Sequence, residues 1–117
     1  MAQFDVAENR QDERFIVQDL AVFDGALKKF VGKAIDLSLS GMLISLEKAL
    51  AVGSVINISL GHMLNNYSDL DVETQVVWFR QNDISGLFSI GLKFLNNTEE
   101  QRSQIQKVIN TYAVYGV

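Results

Sequence analysis

At 117 residues, with 48% hydrophobic and 21% charged side chains, the chain has the length and composition of one ordinary folded domain, long enough to bury a core without staples. It has no cysteine and one histidine, His62, which excludes a disulfide framework, a thiolate nucleophile and a multi-histidine metal site. A net charge of −4 argues against binding bulk DNA or RNA, because that affinity rests on many Lys and Arg neutralising many phosphates.

The first residues, Met1 to about Gln11, are polar and acidic with little apolar periodicity, so a flexible N-terminal arm over 1–9 is expected ahead of a domain over 10–117. That start lacks the basic-then-apolar form of a signal peptide, and no apolar run approaches the ~20 residues that span a bilayer. A cytoplasmic location without membrane insertion follows as the expectation. Arg10-Gln-Asp-Glu-Arg14 comes next, an RxxxR string. Residues four apart share one side of an extended segment and one face of a helical turn, so both guanidinia can converge on one ligand.

Phe15 to Phe23 is apolar and β-prone, and Asp24-Gly25 predicts a two-residue hairpin turn. The return strand, about Leu27 to Ile35, places Lys28, Lys29 and Lys33 on its wetter side, as on a solvated edge strand. A phosphate-assisting role is the alternative for these lysines, and for Arg80. Asp36-Leu-Ser38-Leu-Ser-Gly41, a DxSxxG string, ends that strand and precedes a second apolar run, Met42 to Leu46. Val55 to Leu60 alternates, with Ile56, Ile58 and Leu60 on one face. Gly61 to Asp71 reads as a solvated loop holding His62 and Tyr67. Its Asp69 and Asp71 lack the ligand order of a calcium loop. Val72 to Arg80 and Leu87 to Leu95 complete six strands. Thr98-Glu-Glu-Gln101 then fits a capping box, and Ile105, Val108, Ile109, Tyr112 and Ala113 form one apolar stripe, predicting a helix over about 98–114. Short strands with one terminal helix read as a mainly β fold, a small antiparallel β-barrel.

The two strings supply chemistry that suits a compact, doubly charged guanine nucleotide. An Arg fork matches phosphate oxygens or the O6/N7 edge of guanine, and its flat face stacks on a purine. Asp36 is an acceptor-only carboxylate suited to the N1–H and N2–H₂ donors of guanine, and Ser38 can donate or accept. Gly41 permits a positive φ and a close backbone approach. Each string has a plainer reading: RxxxR as a solvated surface pair, and Asp-x-Ser before Gly as a turn that satisfies its own backbone. Trp78 reads first as a barrel core or rim residue, with a stacking platform for guanine as the functional alternative.

In order and spacing the chain resembles the PilZ family: RxxxR, a strand pair, DxSxxG, further strands, then a helix. Val76-Val-Trp78-Phe-Arg80 and Gly91-Leu-Lys-Phe94 look like the family's late-strand pattern. The chain departs from it at Ser40, where the family often has Gly. The resemblance implies a six-stranded, Greek-key-like barrel and a bacterial receptor for cyclic di-GMP, with Arg10, Arg14, Asp36, Ser38 and Gly41 as ligand residues. It implies no enzyme activity, no catalytic residue, no metal and no cofactor beyond the ligand. A signal would pass to an unidentified effector protein in motility or biofilm regulation, through ligand-driven ordering of the N-terminal arm. A protein-interaction adaptor of the same fold that binds no nucleotide is the alternative.

Overall fold

The computed structural model describes residues 13–64 and 67–116. Eight strands and one helix follow in order: β1 (Phe15–Val17), β2 (Leu20–Asp24), β3 (Phe30–Leu37), β4 (Gly41–Leu46), β5 (Val55–His62), β6 (Tyr67–Gln81), β7 (Phe88–Phe94), α1 (Glu99–Tyr112) and β8 (Ala113–Gly116). The pairing order β2-β5-β6-β7-β4-β3 closes on itself through β2–β3, giving a six-stranded antiparallel barrel, and β1 and β8 extend from β3. Two three-stranded meanders, β2-β3-β4 and β5-β6-β7, are thus stitched together by β4–β7 and β2–β5. Closure removes the free edges that an open sheet of this size would expose.

Alternation fills the interior. Val22, Ile44, Leu60, Val76, Ile90 and Leu92 are buried and share one cluster with Ile105, Val108, Ile109 and Tyr112 of the helix. Thr98 caps that helix, its Oγ1 accepting the Gln101 N–H at 3.1 Å, and Glu99 and Glu100 occupy the acid-favouring first turn. The helix closes the barrel end near His62, whose ring lies 6.1 Å from that of Tyr112. At the opposite end the β4–β5 connection crosses over, with Leu50 packed on the core and Gly53 N–H bonded to Val76 O at 2.7 Å.

Four expectations need correction. The β2–β3 turn is five residues, not two. Asp24 Oδ1 accepts the N–H groups of Ala26 and Leu27 at 2.9 and 2.7 Å, and Lys28 takes the left-handed φ of +57°. Gly25 is needed because the β5 backbone approaches, with its N–H 3.0 Å from Asn57 O. β3 is no edge strand: β2 and β4 flank it, and Lys28 and Lys29 belong to the turn. Most of the expected loop over 61–71 is strand, since β5 runs on to His62 and β6 starts at Tyr67 with Leu60 paired to Leu70. Leu70, Asp71 and Val72 already alternate, and their apolar members are 8% and 3% exposed. The helix stops at Tyr112, because Ala113–Gly116 pairs with the edge of β1 instead of continuing the coil.

One polar staple holds the turn onto the barrel. Lys28 Nζ donates to Ser59 Oγ and to Asp71 Oδ1, both at 2.7 Å, and the Ser59 hydroxyl donates to the same carboxylate. The bond from Lys28, then that from Ser59, holds the Asp71 carboxyl below its ordinary value of 3.8. A lowered folded pKa favours the fold while the group is ionised, so this stabilisation is present above about pH 3.8 and disappears as pH falls through the folded value. Asp71→Asn is therefore expected to lower the melting temperature slightly at pH 7, and by less at pH 3, below the ordinary value of 3.8. Equal shifts at both pH values in thermal melts would contradict the assignment. The Asp71 side chain is 67% exposed, so the effect at neutral pH is small.

Candidate functional site on the outer barrel face

Strict alternation would turn Asp36 and Trp78 into the core, because Ala34 and Val76, two residues earlier on their strands, point inward and are 5% and 1% exposed. Neither goes in. β3 carries a register shift between Ala34 and Asp36, and β6 carries one between Val76 and Trp78. Each bulge adds one residue, Ile35 or Val77, and so reverses the facing of everything after it. Leu37 takes the inward position instead, opposite Met42 and fully buried, while Phe79 pairs with Ile90 at the barrel rim, edge-on to Phe88 and 42% exposed. Asp36 and Trp78 emerge on the outer face in one lateral row, Ile16–Asp36–Leu43–Gly91–Trp78, running across β1, β3, β4, β7 and β6.

Trp78 is 44% exposed, so the core reading is overturned. Its indole lies over Gly91: a Cβ there would fall 2.6 Å from the ring carbon Cε2. Glycine at that position lets the aromatic lie flat against the sheet and present its other face outward. At the β3 end of the row, Arg14 Nη1 donates to Asp36 Oδ1 at 3.2 Å, with the arginine side chain 57% exposed and the carboxylate 16%. RxxxR and DxSxxG therefore meet through one charge-assisted contact. Arg10, with the rest of the proposed arm over 1–9, lies outside the described residues.

Ser38 and Gly41, both expected as ligand contacts, build the β3–β4 turn. Ser38 is 3% exposed and builds the β3–β4 turn. Its Oγ accepts the N–H groups of Gly41 and Ser40 at 3.1 and 3.3 Å, and its own N–H donates to Gly41 O at 2.9 Å. The plain turn reading of the DxSxxG string thus applies to the serine; among the described residues the Asp36 carboxylate accepts no hydrogen bond from the turn backbone. Gly41 does not have a positive φ. A glycine is required because the Leu92 carbonyl of β7 occupies the place of a Cβ. Ser40 also keeps a negative φ, so its departure from glycine leaves the turn unstrained, and its carbonyl accepts the Phe94 N–H at 2.9 Å.

The site is an open sheet face. Hollows of about 590 Å³ beside Asn57 and Asp71 and about 370 Å³ at the β4–β5 end of the barrel include none of Arg14, Asp36 or Trp78. Among the described residues no cluster of His, Asp or Glu could hold a metal ion, and no helix is long and apolar enough to cross a membrane. Sequence reasoning missed the place of Leu43 and Gly91 between Asp36 and Trp78; their signal was a register that only pairing reveals.

A closed six-stranded barrel with a helix over one end, and a charged, aromatic outer face beside a DxSxxG turn, define one class of small β-barrel domain. The model of the PilZ domain matches residues 8–111, and the chain belongs to that family. Among solved structures it resembles the PilZ domain with c-di-GMP of YcgR from Escherichia coli, at 18% identity over 84% of this chain and 86% of that one, with a TM-score of 0.62. The K. pneumonia MrkH–c-di-GMP complex matches at 17% identity over 86% of this chain and 51% of that one, with a TM-score of 0.66. A longer YcgR chain in complex with c-di-GMP, also from Escherichia coli, gives 18% identity, 84% and 43% coverage, and a TM-score of 0.63. No curated protein sequence matches the chain. At these identities the structural likenesses concern the fold.

Proposed function

We propose that this chain is a bacterial receptor for cyclic di-GMP that reads the ligand on the outer barrel face. One observation carries the reading: Arg14 and Asp36, from the two motifs, stand in contact at the end of a surface row that finishes on the exposed indole of Trp78. The structural neighbours solved with c-di-GMP support the same ligand class.

In this reading Asp36 accepts from the N1–H and N2–H₂ edge of one guanine while Arg14 turns to a phosphate or to the O6/N7 edge. Releasing Arg14 from Asp36 costs little, because an exposed ion pair contributes about 0–1 kcal/mol. Arg10 is the second guanidinium by its place in the motif. Ser38 and Gly41 hold the turn that fixes Asp36, and Trp78 offers a face for a purine to stack on. Binding draws the segment carrying Arg10 and Arg14 across the barrel, and the ordered arm over 1–9 is what an effector protein recognises.

Calorimetric titration of the purified chain with cyclic di-GMP tests the first step. Saturable binding is the expected outcome, with no comparable heat from GMP. Amide hydrogen exchange on the same samples tests the second, with new protection expected around Arg10 and Arg14. Absence of binding removes the receptor reading in favour of the nucleotide-free adaptor. Binding without added protection removes only the switch.

A further inference from the structure

The patch of the outer face around the Asp36–Trp78 row gathers Lys33, Arg80 and Lys93 on a chain whose net charge is −4, while Asp71 and Glu73 lie farther along β6. Two rows flank the Asp36–Trp78 row along the strands. One runs Lys33–Ser45–Ser89–Arg80 and the other Gly41–Lys93–Gln75. Across the three rows on β3, β4, β7 and β6, Asp36 is the sole carboxylate, and Arg14 already neutralises it. Among the described residues the ion pairs are Arg14–Asp36 and Lys28–Asp71, so neither Arg80 nor Lys93 has an acid partner. Both are exposed.

Their placement is specific. On β7, Ser89 pairs with Arg80, Gly91 with Trp78, and Lys93 stands at the next outward position beside Gln75. Arg80 and Lys93 therefore bracket the indole, one on each side along the strand direction, in rows about 13 Å apart at ~3.3 Å per residue. Each long side chain can lean toward the aromatic between them. At that separation two exposed cations are largely screened from each other, so both remain available to an anion that lies between them. A phosphate attached to a base that lies flat on the ring comes within reach of both side chains. Three strand spacings separate β3 from β6, about 14 Å, so the bracket lies beyond the phosphate that Arg14 serves.

We infer that Arg80 and Lys93, bracketing Trp78 on the β6–β7 outer face, form a second phosphodiester subsite that holds a phosphate whose neighbouring purine stacks on the indole. The inference rests on the receptor reading and extends its surface to residues outside both motifs. The phosphodiester comes either from the far half of the molecule held by Arg14 or from a second cyclic dinucleotide. The chemistry of the bracket is the same for both, and stoichiometry separates them.

The test is a calorimetric titration of cyclic di-GMP into the full chain, its Arg80→Gln/Lys93→Gln double variant, and a Lys107→Gln control on the helix, away from this face. Trp78 is the only tryptophan, so its fluorescence reports stacking in parallel. The double variant should bind at least tenfold more weakly, with reduced quenching and an unchanged melting temperature. A fall from two ligands to one assigns the bracket to a second molecule, and unchanged stoichiometry with weaker binding assigns it to the far half of the first. Both support the subsite. A double variant that titrates like the parent overturns it while leaving the receptor reading standing, and so does a control that weakens equally, since the effect is then long-range charge alone. A parent that does not bind removes the receptor reading and this inference with it.

Discussion

Arg14→Ala is expected to abolish measurable binding of cyclic di-GMP while leaving the barrel folded. The side chain is 57% exposed and contributes only an exposed ion pair to the fold, so melting should shift little. The loss in binding has two parts. One is a charge-assisted, bidentate-capable contact, worth on the order of 2–4 kcal/mol, or roughly 30- to 1,000-fold in affinity. The other is local: Asp36 keeps its charge with no neighbour to balance it, so the truncated site presents a bare carboxylate to an incoming dianion. Titration calorimetry with a thermal melt of the same sample checks both halves. Affinity within a factor of three of the parent would sink the assignment.

Asp36→Asn should weaken binding about tenfold or more, although it removes a negative charge from the path of an anion. Asn has the same size, but one of its two terminal atoms is an amide nitrogen that would face the guanine donors. Losing a hydrogen bond to a charged group costs about 1.5–3 kcal/mol. The architecture makes this a clean test, because the turn is held by Ser38 and not by Asp36. The substitution therefore leaves the β3–β4 connection intact. Discrimination between cyclic di-GMP and cyclic di-AMP should narrow in the same variant. If both affinity and discrimination match the parent, Asp36 serves only to hold Arg14.

How much of this was legible in the chain differs from residue to residue. The capping box at Thr98 and the apolar stripe from Ile105 to Tyr112 marked a helix correctly, because both signals lie within a few residues of each other. The end of that helix was not visible. Ala113–Gly116 could extend the coil or pair as a strand, and the edge of β1 nearly a hundred residues away decides it. The loop read over 61–71 failed for a related reason. Its polar residues mark a solvent-facing strand side as readily as a loop, and the register Leu60–Leu70 selects the former.

The sequence alone determined the barrel class, the two motifs and the chemistry they can perform, since these depend on residue type, spacing and alternation. It also carried the residues of the outer row, but not the fact that they form a row. Asp36 and Trp78 would both point inward by period-two counting. The bulges at Ile35 and Val77 turn them outward onto one face, with Gly91 making room for the indole. A bulge has no local signature here, because Ile35 and Val77 are ordinary strand residues. It exists because pairing with the neighbouring strands leaves one residue over, and only the closed barrel sets that count.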